Sequence, residues 1–133
     1  MDSNLKIGMK AEKTEKVTEN NTAIKYGSGG VAVYATPAMI GLMEATSLAV
    51  VDSYLPQGMA TVGIDLKIKH LAATPVGMTI KVVAELIQLD GRRLIFHVTA
   101  FDDREKIGEG THERFIITKE KFLQKAEAKK DMA

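Results

Sequence analysis

Ala35-Thr36-Pro37-Ala38-Met39-Ile40-Gly41-Leu42-Met43-Glu44-Ala45-Thr46-Ser47-Leu48-Ala49-Val50-Val51-Asp52-Ser53-Tyr54 is the stretch on which the fold turns. Its opening is a helix start: a threonine oxygen can accept from first-turn amides, and proline at the first helical position loses no needed donor. A helix is therefore expected from Ala38 to Tyr54, ended by Leu55-Pro56 and Gly58. Apolar side chains run almost all the way round it, which predicts a buried helix rather than a surface one. Asp52, near its end, is expected in solvent. Glu44, in the middle, is the one residue out of place.

Everything after Gly58 reads as strand. Thr61 to His70 alternates, with Val62, Ile64, Leu66, Ile68 and His70 on one face and Thr61, Gly63, Asp65, Lys67 and Lys69 on the other. Thr74-Pro75 and Gly77 break the chain. Met78 to Leu89 is rich in β-formers, Asp90-Gly91 signals a hairpin, and Arg92 to Phe101 pairs back. Lys106 to Thr118 gives a last strand. Upstream, Lys10 to Val17 is a candidate strand. The segment 19–34, with Asn20-Asn21 and Gly27-Ser28-Gly29-Gly30, reads as a loop or lid, because glycine frees the backbone and offers nothing to pack. The tail, 119–133, is a charged helix whose Phe122, Leu123 and Ala126 could dock on the body. One strand, one apolar helix and four antiparallel strands predict an α+β domain spanning 1–133, a curved antiparallel sheet wrapped around one long buried helix.

Composition narrows the class. At 133 residues, 45% hydrophobic and 26% charged, the chain suits a single globular domain. Its 18 basic and 17 acidic side chains leave a net charge of +1, which gives no reason to expect nucleic acid or an anionic membrane as partner. No cysteine is present, so disulfides and thiolate chemistry are excluded. The N-terminus lacks the apolar core of a signal peptide, and no apolar run is long enough to span a bilayer. A soluble cytoplasmic protein is expected.

Three residues could carry chemistry. An ionised Glu44 inside an apolar helix costs several kcal/mol unless paired. It is either satisfied at a polar gap or subunit interface, or a general base or orienter tuned by burial. His70 falls on the apolar face of its strand, where a lone histidine is more often structural, yet its ordinary pKa suits proton transfer at neutral pH. Thr36 can be a plain N-cap, or it can stand beside helix-start amides that stabilise a developing oxyanion. Thr36 and Glu44 are eight positions apart, roughly 12 Å along a helix, too far for direct contact. His97 should face opposite to Phe96 and Val98; His112 is read with it as structural or surface. Three scattered histidines make no metal site.

The stretch Ala35 to Glu44, the segment His70-Leu71-Ala72-Ala73-Thr74-Pro75 with Gly77, and the runs Gly91-Arg92-Arg93-Leu94 and Ile107-Gly108-Glu109-Gly110-Thr111-His112-Glu113-Arg114 together resemble the fluoroacetyl-CoA thioesterase-like branch of hot-dog proteins. The resemblance runs without a gap from about Ala35 to Phe122. It implies a hot-dog fold and hydrolysis of a short acyl-CoA, with catalytic roles at Thr36, Glu44 and His70 and substrate contacts at Gly63 and Arg114. It also implies a homodimer with the acyl site near the subunit interface, and no cofactor beyond the CoA of the substrate. Gly27 and Gly30 stand where the fluoroacetyl-specific member has lid phenylalanines, which argues for a general short-acyl enzyme. A hot-dog hydratase or dehydratase, and a non-catalytic acyl-CoA-binding domain, are the rival readings.

Overall fold

The structure, a computed structural model, describes residues 4–132. In chain order it contains β1 (Lys10–Lys16), α1 (Ala23–Tyr26), α2 (Thr36–Val51), β2 (Met59–His70), β3 (Thr79–Asp90), β4 (Arg93–Phe101), β5 (Lys106–Thr118) and α3 (Lys119–Glu127). The strands form one antiparallel sheet in the order β1-β3-β4-β5-β2, with β1 and β2 at its edges. Asp90 pairs with Arg93 across a two-residue turn in which Gly91 takes the positive φ of 61° that glycine adopts without strain. Alternate residues of β3 and β4, among them Ile80, Val82, Leu86, Leu94, Phe96 and Val98, are buried against Met39, Met43, Val50 and Val51 of α2. A curved sheet around one long helix is the expected architecture, and it is the one present.

The helix sits off-centre. It leans on β3, β1 and β4 and barely touches β5 and β2. Only one side of it is buried, contrary to the expectation from its apolar composition. Gly41, Glu44, Ala45 and Leu48, spaced as one helical stripe, are half-buried or exposed in the single chain. Beside that stripe lies β2, a twelve-residue edge strand. An uncovered apolar stripe next to an unpaired strand edge explains the composition: it suits a face that something else covers.

Three further expectations are corrected. The alternation of β2 is broken by a bulge, since Gly63 pairs with Arg114 but Asp65 with Glu113, leaving Ile64 as the extra residue. A bulge reverses the facing of everything beyond it. Thr61 and Gly63 therefore share the inner face with Leu66, Ile68 and His70, while Val62 pairs with the exposed Phe115 and Ile64 is 52% exposed. The segment 19–34 is more ordered than its glycines suggest. Thr18 caps a 3-10 turn at Glu19–Asn21, Thr22 caps α1, and Gly27 closes α1 with φ 73°. Finally, α3 forms but does not dock: Phe122 and Leu123 remain exposed.

Candidate active site

Thr36 is not the cap of α2. Ala35 holds that position, with no side-chain oxygen to accept from the first turn. Two consequences follow. The opening amides of the helix are not consumed by a side-chain cap, and the Thr36 hydroxyl is free to reach elsewhere. It reaches His70, with Oγ1 2.7 Å from Nδ1. The approach to the helix is fastened on three sides: the Tyr34 amide donates to the Thr74 carbonyl, the Ala35 amide to the Asn21 carbonyl, and the buried Tyr34 hydroxyl to the Glu15 carboxylate. Burial and that carboxylate hold the Tyr34 hydroxyl protonated at any ordinary pH.

His70 ends β2 opposite Gly108 of β5. A Cβ on Gly108 would lie 2.6 Å from the Met39 sulfur and 3.1 Å from the Lys69 carbonyl oxygen, so glycine is what lets α2 approach the sheet at this point. Burial lowers the His70 pKa, and the nearby Ala72 backbone only partly opposes it. The imidazole is therefore neutral at pH 7, and a neutral Nδ1 can take the Thr36 proton. Nε2 is buried and has no hydrogen-bond partner among the described residues. The pair opens onto a cleft of about 430 Å³, walled by Ala23, Ser28, Val33, Tyr34 and Leu71 to Ala73.

Glu44 is not there. It lies farther along α2, half-buried, in a second polar cluster with Gly63, His112 and Arg114. A Cβ on Gly63 would stand 3.0 Å from Glu44 Oε2, 3.0 Å from His112 Cε1 and 3.5 Å from Arg114 Nη1. Arg114 is buried; its Nε donates to Thr61 Oγ1 at 2.8 Å and its Nη2 to the Thr61 carbonyl at 3.0 Å. Nη1 donates to His112 Nε2 at 3.1 Å. Desolvation weakens the hold of Arg114 on its proton, and the nearby charges of Glu44 and Asp52 counter it. Of the five residues proposed from sequence, one chain thus brings together Thr36 with His70, and separately Glu44 with Gly63 and Arg114.

His97 is exposed, as expected. His112 is not a surface residue: it is fully buried on the inner face. The signal was available, because Gly108, Gly110, His112, Arg114 and Ile116 alternate through β5 on one side, and Ile116 marks that side as the core. Tyr34, a wall of the cleft, had no sequence signal beyond its size.

A curved sheet around one helix, with a threonine–histidine pair at the helix start and a half-buried carboxylate beside a buried arginine farther along, is the arrangement of a hot-dog thioesterase. The family model for fluoroacetyl-CoA-specific thioesterases matches residues 17–120, and the chain belongs to that family. It is 44% identical over 97 residues to the fluoroacetyl-CoA thioesterase of Streptantibioticus cattleyicolor, covering 73% of this chain and 70% of that one. A solved structure of the fluoroacetyl-CoA thioesterase FlK superposes with a TM-score of 0.90 at 35% identity, covering 96% of this chain and 98% of that one. A Thermus thermophilus thioesterase superfamily member also reaches 0.90, at 27% identity over 97% and 96%. Among the described residues no helix is long and apolar enough to cross a membrane, and no group of acidic or histidine side chains is placed to hold a metal.

Proposed function

We propose that this protein is a cytoplasmic homodimeric thioesterase that hydrolyses a short acyl-CoA to the free acid and CoA without a cofactor. The observation that carries the reading is the 2.7 Å contact between Thr36 Oγ1 and His70 Nδ1 beside uncapped helix-start amides. His70 takes the hydroxyl proton as Thr36 Oγ1 attacks the thioester carbon, and the helix-start amides stabilise the oxyanion. Collapse breaks the carbon–sulfur bond, and the imidazolium returns its proton to the departing CoA thiolate. Water, deprotonated by the same imidazole, then hydrolyses the Thr36 ester.

Glu44 enters from a second copy. Its distance along α2 keeps it from Thr36 in one chain, and it lies on the open stripe beside the unpaired β2 edge. Two copies joined through β2 would cover both helix stripes, and the carboxylate of one copy could then serve the Thr36–His70 pair of the other. Gly63 and Arg114, which surround Glu44, would contact the acyl group from that side. On this reading the carboxylate orients His70 or the hydrolytic water.

The lid side of the cleft is open. A Cβ on Gly30 would meet nothing within 4 Å, and no aromatic side chain at Gly27 or Gly30 is available to restrict the acyl group. Turnover of saturated acyl-CoAs of graded length, followed by release of free thiol, tests the function. Acetyl-CoA and other short esters are expected to be hydrolysed with little preference for fluoroacetyl-CoA. Binding without thiol release would replace the enzyme with an acyl-CoA-binding domain, and hydration of an enoyl-CoA in its place would make it a hydratase.

A further inference from the structure

The second polar cluster contains a histidine to which nothing above assigns a role. We propose that His112 is a positioning residue: locked in one neutral tautomer, it accepts a hydrogen bond from Arg114 and aims the guanidinium at the space beneath Gly63. The proposal rests on the reading of Arg114 as a contact for the acyl group, and it deepens that reading.

The tautomer is fixed by elimination. An arginine donates only, so the 3.1 Å contact from Arg114 Nη1 requires a bare lone pair on His112 Nε2. The proton must then sit on Nδ1, and there the Asp65 carbonyl stands 2.9 Å away to accept it. Asp65 is the first paired residue after the β2 bulge, so the bulge supplies the carbonyl that sets the tautomer. Both ring nitrogens are engaged, which removes His112 from acid–base chemistry, while His70 Nε2 has no partner among the described residues. With Nε and Nη2 tied to Thr61 and Nη1 to His112, the guanidinium plane has no rotational freedom. Removing His112 would free one corner of it.

The groups facing His112 are Arg114 on its own strand, Glu44 on α2 and Asp65 on β2, with Asp52 acting on Arg114 from the end of α2. Burial disfavours the imidazolium, Arg114 adds to that, and the Asp65 backbone and the two carboxylates oppose it. Protonation of Nε2 would replace an acceptor by a donor facing another donor, and would turn Arg114 away.

Five proteins test this: wild type, His112→Gln, His112→Ala, Arg114→Ala and the double variant His112→Ala/Arg114→Ala. An amide keeps one donor and one acceptor on the same end of the side chain, so His112→Gln should hold Arg114 in place. His112→Ala is expected to raise KM for acetyl-CoA by about 10-fold, in line with the loss of one charged hydrogen-bonding partner, and His112→Gln by much less. Arg114→Ala should raise KM at least as far, and adding His112→Ala to it should change little, because residues acting through one contact are not additive. Wild-type KM should rise toward acid pH, and that rise should be reduced in His112→Gln. Nitrogen-15 spectra of histidine-labelled protein, taken without substrate, should show Nδ1 protonated and Nε2 bare at pH 7. Wild-type KM in a folded His112→Ala protein, additive losses in the double variant, or a protonated Nε2 would each overturn the proposal. Absence of any turnover in the wild type would strike the function instead, and the spectra would still decide the tautomer.

Discussion

The two polar clusters of this chain differ in how they are built. Thr36 and His70 meet at the mouth of a cleft, exposed enough to reach substrate, and each is set by the end of an element: the first residue of α2 and the last of β2. Glu44, Gly63, His112 and Arg114 lie along the middle of their elements, and a strand bulge lets them converge. The first cluster holds a neutral base and a hydroxyl. The second holds a carboxylate whose charge acts on a buried guanidinium. A reactive pair needs access, whereas a charged pair needs partners to offset desolvation. This separation is what the proposed composite site rests on: each copy would give one cluster to each site, and two copies would meet at the open stripe of α2.

Removing either member of the first cluster should have the largest effect. His70→Ala and Thr36→Ala are expected to keep the fold, by circular dichroism, and to lower kcat by about 10²–10⁴-fold, as loss of a general base or nucleophile does. His97→Ala, on the outer face, should remain near wild type. A folded His70→Ala enzyme with ordinary turnover would break the division between the clusters at once.

A smaller effect is expected where the second cluster is crowded. A methyl group on Gly63 would stand 3.0 Å from both Glu44 and His112, tighter than ordinary van der Waals contact, so Gly63→Ala must displace one of them by a few tenths of an ångström. Turnover should fall by about 10-fold, the scale of a misplaced catalytic group, with little change in melting temperature. Unchanged kinetics would show that the cluster tolerates displacement and does not position anything.

The gentlest probe is pH. Both His70 and His112 have pKa values lowered by burial, so below about 6.5 the unfolded chain binds more protons than the folded one. Stability should therefore fall as pH drops from 7 toward 5, and the loss should be smaller in His112→Gln. Catalysis should separate the two, because in the proposed mechanism only His70 transfers protons. The acid limb of kcat should follow a group titrating below the usual histidine value and disappear in His70→Ala. A limb that survives there would place proton transfer in the second cluster.

Sequence placed the elements that carry the first cluster and left the facing of the second obscure, and the reasons are physical. The helix at Thr36-Pro37 and the strand ending at His70 follow from local propensity and period, and the Asp90-Gly91 turn from backbone chemistry. The facing of Gly63 does not, because strict alternation puts it on the face opposite His70, and only the extra residue Ile64 reconciles the two. That bulge lies opposite Glu113 and Arg114 of β5, a relation between strands far apart in the chain. His112 was hidden for a related reason: charged neighbours made β5 look like surface, although Ile116 two steps past Arg114 fixed its inner side. Glu44 announced itself by polarity, but its distance from Thr36 has meaning only in three dimensions.

The central claim is that an active site takes Thr36 and His70 from one copy and Glu44 from another. Two inactive variants, His70→Ala and Glu44→Ala, can be unfolded together, refolded as a mixture and assayed for thiol release from acetyl-CoA. In a mixed dimer one site would have both lesions and the other neither. With random pairing half the dimers are mixed and each has one intact site, so about a quarter of the wild-type rate should return. If the mixture stays as inactive as its parents, although mixed dimers are shown to form, the site belongs to a single chain and the account is wrong.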